Sequence, residues 1–167
     1  MTHYKLALAA AGVLGLAATQ SMAALSKADQ TFAEKAAAGG LAEVSMGQLA
    51  QQNGSSDQVK QLGGQMVTDH TKANQELQQI AQNENVTLPT EPDSKDQAVQ
   101  KRLGDLKGTA FDSAYSKDMV RDHKQDIADF RKEARSGQDP ALKAFAQKTL
   151  PVLQEHLRMA QALTSRK

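Results

Sequence analysis

NVTLPTEPDSKDQAVQKRLGDLKGT, residues 85–109, puts 25 residues between two long helical patterns. Antiparallel helix neighbours are usually joined by roughly two to eight residues, so this length carries the chain from one end of a bundle back to the other. The stretch is proline-rich at Leu88-Pro89-Thr90-Glu91-Pro92 and then predicts a short helix over about Lys95 to Lys107. The flanking links are short by comparison, Asn53 to Ser56 on one side and Gly137 to Asp139 on the other. The order is therefore hairpin, crossover, hairpin, and the crossover makes the second and third long helices parallel.

Four long helices account for what lies on either side. Aromatic residues make up only 4% of the chain, whereas alanine, glutamine, lysine and leucine abound, a composition that favours helix over strand. The first helix is predicted from about Lys27 to Gln52, opened by Ser26 and closed by Asn53-Gly54; the second runs from about Asp57 to Glu84 after Ser55-Ser56. The third is predicted from about Ala110, capped by Thr109, to Ser136 before Gly137. Asp139-Pro140, a favoured cap and first-turn pair, opens the fourth, which extends to about Thr164. This is an all-α, ferritin-like four-helix bundle with a long crossover carrying a short helix between helices two and three.

The apolar stripes place polar residues inside. On helix two, Val59, Leu62, Met66, His70, Ala73, Leu77 and Ile80 step by three or four; Met119, His123 and Ile127 do so on helix three, and Leu153, His156 and Ala160 on helix four. Each of these histidines follows an acid, as Asp69-His70, Asp122-His123 and Glu155-His156, and two share the longer words MVTDH and MVRDH. In helix one the stripe Phe32, Ala36, Gly39, Glu43, Met46 contains a carboxylate. One Glu and three His thus face a common core. A weak internal repeat, Phe32 to Glu43 and Phe111 to Asp122, aligns Glu43 with Asp122 instead of His123. Successive helical residues point about 100° apart, so only one of Asp122 and His123 can aim at the centre, and the sequence leaves that choice open.

The first residues read as an export signal. His3 and Lys5 precede an uncharged run from Leu6 to Ala18, and Ser21-Met22-Ala23 presents small residues at the positions an export peptidase inspects. The run is too short to cross roughly 30 Å of hydrocarbon, so cleavage after Ala23 is expected, leaving residues 24–167 as a single domain in the periplasm or outside the cell, without stable membrane insertion. Removing the leader takes Lys5 and leaves 19 basic against 19 acidic side chains, a balance that argues against nucleic acid as a partner. The absence of cysteine excludes disulfides, iron–sulfur clusters and thiolate zinc sites. No phosphate loop, dinucleotide fingerprint or nucleophile elbow occurs, so the pattern favours binding over catalysis.

The segments FAEKAAAGGLAEVSMGQLA, VKQLGGQMVTDHTKANQEL, GTAFDSAYSKDMVRDHKQDIADF and LKAFAQKTLPVLQEHLRMAQAL, in this order, resemble domain-of-unknown-function family 4142. The likeness covers nearly the whole mature chain and is specific at the DH, DH and EH positions. It implies an exported bacterial protein of ferritin-like fold, and no settled activity. The two Glu-x-x-His motifs of di-iron bundles are missing, so ferroxidase activity does not carry over.

Two functions follow as expectations. In the first, Glu43, His70, His123 and His156 bind a transition metal ion, copper, zinc or iron, with Asp69, Asp122 and Glu155 as supporting or alternative ligands. Met66 and Met119, four residues before their histidines, and Met159, three after His156, place thioethers one turn away, a soft addition that would favour copper, although methionine at helical spacing is ordinarily core filler. In the second, the histidines are a structural polar layer in a non-catalytic envelope or stress-related protein that binds a protein partner or a second copy of itself. Gly39-Gly40 and Gly63-Gly64 are expected to let helices one and two approach, and Pro151 to bend helix four near His156.

Overall fold

The computed structural model describes residues 25–165, so the predicted leader, residues 1–23, lies outside it. Five helices follow in order: α1 Lys27–Asn53, α2 Asp57–Asn83, α3 Ser94–Gly104, α4 Gly108–Ser136 and α5 Pro140–Thr164. The long helices are α1, α2, α4 and α5, and α3 is the short helix of the crossover. No described helix is long and apolar enough to cross a membrane.

The caps work as their residue types dictate. Ser26 accepts from the Asp29 amide at 3.1 Å, Ser56 from Val59 at 3.3 Å and Asp139 from Leu142 at 2.7 Å, each satisfying an amide that the first helical turn leaves free. Thr109 is not the cap of α4. That helix begins at Gly108, which takes a left-handed φ of 61°, and Lys107 occupies the cap position without a capping bond from its side chain, which donates to Asn53 Oδ1 instead. The crossover helix stops at Gly104, earlier than expected: the Leu106 amide bonds the Leu103 carbonyl three residues back, a tighter turn than the helix. α5 continues through Pro151 as one helix.

Two carboxylates, buried Asp29 and half-buried Asp112, lock the topology. Asp112, in the first turn of α4, accepts from the Ser55 amide at 2.9 Å, the Ser55 hydroxyl at 2.6 Å and the Ser56 amide at 3.0 Å. Asp29, in the first turn of α1, accepts from the amides of Gln138 at 3.1 Å and Asp139 at 3.0 Å, at the start of α5. Thus α2 and α4 start at one end of the bundle and α1 and α5 at the other, the arrangement a full-length crossover requires. The α1–α2 pair is drawn close by glycine: a Cβ at Gly63 would sit 2.6 Å from the Gly47 carbonyl oxygen and 2.7 Å from the Ala50 Cβ. Gly40 packs against Asn74, whereas Gly39 has nothing within 4 Å and takes no part in the approach.

The core has two apolar halves. Phe32, Leu77, Ile127, Phe130, Phe145 and Leu153 fill the half where α1 and α5 begin. Met46, Leu62, Met66, Phe111, Tyr115 and Met119 fill the other, joined by Leu103 from α3. Between them, in every long helix, the stripe is interrupted by one buried polar residue.

Candidate metal centre

Those four interruptions are Glu43, His70, His123 and His156, from α1, α2, α4 and α5, and all four are buried. The Glu43 carboxylate lies between two rings. Its Oε2 is 2.9 Å from His70 Nδ1 and its Oε1 is 3.2 Å from His123 Nδ1. The opposite nitrogen of His123, Nε2, faces His156 Nδ1 at 3.3 Å. The three ring centroids are 5.4 to 5.7 Å apart, and each ring brings one nitrogen within 4.8 Å of the other two.

Register along α4 settles which residue points inward. His123 is 0% exposed, while Asp122 sits 100° around the helix in contact with Arg121 at 3.2 Å. Asp69 stands at the rim, its side chain 39% exposed, and still reaches His156 Nε2 at 3.0 Å. Glu155 is not in the layer: it lies on the exposed face of α5 and pairs with Arg158. Met66 and Met119 pack in the adjoining apolar half, as does the partly buried Met159. Met46 completes that set, so each polar residue of the layer has a methionine one turn away toward the same end of the bundle.

One acid that the stripe did not single out belongs to the site. Asp126 lies one turn after His123 on α4, and it brings a carboxylate oxygen within 4.8 Å of both Glu43 and His123. Its signal was present as His123-x-x-Asp126, a spacing that puts two side chains on one helix face. Ile127, next to it, marked the apolar register instead. A cavity of about 20 Å³ touches Glu43, His70 and Asp126, room for about one water-sized occupant.

Burial sets the protonation of the layer. It lowers His70 to about 4, against partial compensation from Asp126 and Asp69. His123 is held well below the usual imidazole range by burial and by the neighbouring His70 and His156 rings, and His156 is lowered by burial and His70. All three rings are therefore neutral at pH 7, the form that donates a lone pair to a metal. Burial and the charge of Asp122 push the Glu43 carboxyl well up; burial and Glu43 do the same to Asp126.

Hydrogen bonding leaves part of this layer unsatisfied. Asp69, His156 and His123 form a chain through contacts of 3.0 and 3.3 Å. Glu43 Oε1 and His123 Nδ1 approach to 3.2 Å without the alignment of a hydrogen bond, and these two atoms and His70 Nε2 are buried with no hydrogen-bond partner. An unpaired buried polar atom costs about 1–3 kcal/mol, and three of them converge here.

The sequence model of the family described as domain of unknown function (DUF4142) matches residues 14–163. No curated protein gives a match. Among solved structures, the fold is similar to a DUF305 protein from Streptomyces coelicolor, with a TM-score of 0.72 and 15% identity, covering 83% of this chain and 91% of that one. It is also similar to a DUF305 fragment from Deinococcus radiodurans, with a TM-score of 0.75 and 12% identity, covering 87% of this chain and all of that one. At such identities the likeness concerns the fold alone.

Proposed function

This chain belongs to the DUF4142 family, and we propose that it is an exported member whose bundle core binds one transition metal ion through His70, His123 and His156, with Glu43 as the fourth donor. The observation that carries this reading is the convergence of three unpartnered buried polar atoms, Glu43 Oε1, His70 Nε2 and His123 Nδ1, in one layer. Single unpartnered atoms occur elsewhere, as at the buried Tyr115 hydroxyl, but here three from three different helices share one layer, the arrangement an occupant would satisfy. The spacing agrees: ligand nitrogens ~2.0–2.1 Å from a tetrahedral ion stand ~3.3–3.4 Å apart, and His123 Nε2 and His156 Nδ1 are 3.3 Å apart. Neutral imidazoles and one carboxylate suit copper, zinc or iron. Asp69 would orient His156 through its far nitrogen, as acids behind metal-bound histidines do. Export rests on the leader pattern of residues 1–23; the Streptomyces coelicolor neighbour is provisionally described as secreted too.

A second reading has its own support. The chain Asp69, His156, His123 is hydrogen-bonded already, and a layer of this kind can fix helix register with no ion at all. Thermal unfolding of the chelator-stripped mature protein separates the two. An ion that binds only the folded state at about 100 times its Kd adds about 2.7 kcal/mol, which for a chain of this size raises Tm by roughly 5–10 °C. Added Cu²⁺ or Zn²⁺ is expected to produce such a rise in wild type and almost none in His123→Leu. A wild-type Tm that no transition metal moves at neutral pH leaves the structural layer as the answer.

A further inference from the structure

A groove of about 950 Å³ runs between α1 and α4 beneath the start of α3 and ends at Glu43. Its charge is sorted by depth. The four lysines that border it are exposed, as is Asp93, whereas Asp96, Asp122, Asp126 and Asp129 are half-buried along its walls. Arg121 is engaged by Asp118 at 2.8 Å and Asp122 at 3.2 Å. At the inner end, Glu43 is only 4% exposed and its Oε1 has no hydrogen-bond partner, and one oxygen of Asp126 comes within 4.8 Å of both Glu43 and His123.

The two nitrogens of His123 face different donor sets. Nε2 looks toward His156, and Nδ1 looks toward Glu43 Oε1 at 3.2 Å without a hydrogen bond. We infer that Glu43, Asp126 and His123 Nδ1 form a second cation site, an alternative to the three-imidazole set because a neutral imidazole offers one lone pair at a time, for a divalent ion of the Mn²⁺ class that arrives through the acidic groove. Two carboxylates and one imidazole are an oxygen-dominated set, and the groove supplies the water that six-coordinate manganese keeps. Soft ions prefer the nitrogen-rich set next door. Two acids converging on one point repel each other when both are charged, and either a shared proton or a cation between them relieves this; Mn²⁺ uptake distinguishes the two.

The inference shares Glu43 and His123 with the function proposed above, but Asp126 serves only this site and His156 only the other. The test titrates Mn²⁺ into the chelator-stripped mature protein and reads free Mn²⁺ by electron paramagnetic resonance, with Zn²⁺ binding measured in parallel. Wild type is expected to take up one equivalent of Mn²⁺. Asp126→Asn should weaken that uptake by about tenfold or more, since loss even of a group behind a ligand costs that much, while Zn²⁺ uptake persists. His156→Leu should do the reverse. Asp126→Glu, which keeps the carboxylate, is expected to retain Mn²⁺ and guards against a fold defect in the first variant. Absence of Mn²⁺ binding in wild type, or uptake indifferent to Asp126→Asn, overturns the second site. Loss of Zn²⁺ binding alone would overturn the imidazole site and leave this one standing.

Discussion

Acidification of the metal-free protein should unfold it, and His70 supplies a calculable share of the effect. The ring is buried against Glu43, and burial lowers its pKa from 6.5 to about 4. Between those values the unfolded chain binds a proton at this position that the native protein refuses. Stability therefore rises with pH across the window. The contribution is fully present above about pH 6.5, declines as pH falls, and is gone below about pH 4. A difference of roughly 2.5 pH units corresponds to about 3 kcal/mol. His123 and His156 are lowered and act in the same direction, whereas Glu43 and Asp126 are raised and oppose it by binding protons more readily in the native state. A variant isolates the one ring. His70→Gln keeps a polar group in the layer but cannot charge. Urea unfolding in the presence of chelator, near pH 7, 5.5 and 4, gives the two stabilities at each pH. Relative to wild type, His70→Gln should gain about 3 kcal/mol between pH 7 and pH 4, equivalent to a midpoint shift of roughly 1–3 M urea. A difference that stays constant across the range would refute the claim that His70 is held neutral by burial.

Two packing predictions accompany it. Gly63→Ala forces a Cβ to 2.6 Å from the Gly47 carbonyl oxygen, and backbone cannot swing aside as a side chain can; a loss of about 1–3 kcal/mol is expected by thermal melting followed at 222 nm. Gly39→Ala meets nothing within 4 Å and should instead raise stability by about 0.5–1 kcal/mol, so equal effects at the two positions contradict the proposed helix contact. Despite some burial, which pushes the other way, donors from Ser55 and Ser56 hold the Asp112 carboxyl below its ordinary range. Asp112→Ala should therefore cost about 1–3 kcal/mol and speed hydrogen exchange at the Ser55 and Ser56 amides; unchanged exchange there would show that the staple does not restrain the turn.

Local chemistry was legible along the chain. Ser26, Ser56 and Asp139-Pro140 mark helix starts because a cap bonds amides two or three residues ahead of it, within reach of any one-dimensional reading. Twenty-five residues between two helices imply a crossover for an equally local reason, chain length. The inward register of Glu43, His70 and His156 followed from a 3.6-residue period that each helix carries by itself. The start of α4 at Gly108 was not legible, because a left-handed glycine replaces the usual side-chain cap.

What only the tertiary structure decided concerns pairs of helices. The choice between Asp122 and His123 turns on the rotation of α4 relative to α1, which an internal repeat of eleven residues cannot report. Asp126 joins the site because α1 and α4 bring Glu43 beside it, and Asp69 reaches His156 because α2 and α5 are neighbours at that height. Asp29 and Asp112 act across 109 and 57 residues of sequence, respectively. Gly47 matters only because Gly63 lies opposite, whereas Gly39, similar in sequence setting, faces open space. Periodicity tells which face of a helix turns inward; what that face meets depends on crossing angle, height and neighbour, which are properties of the assembled bundle.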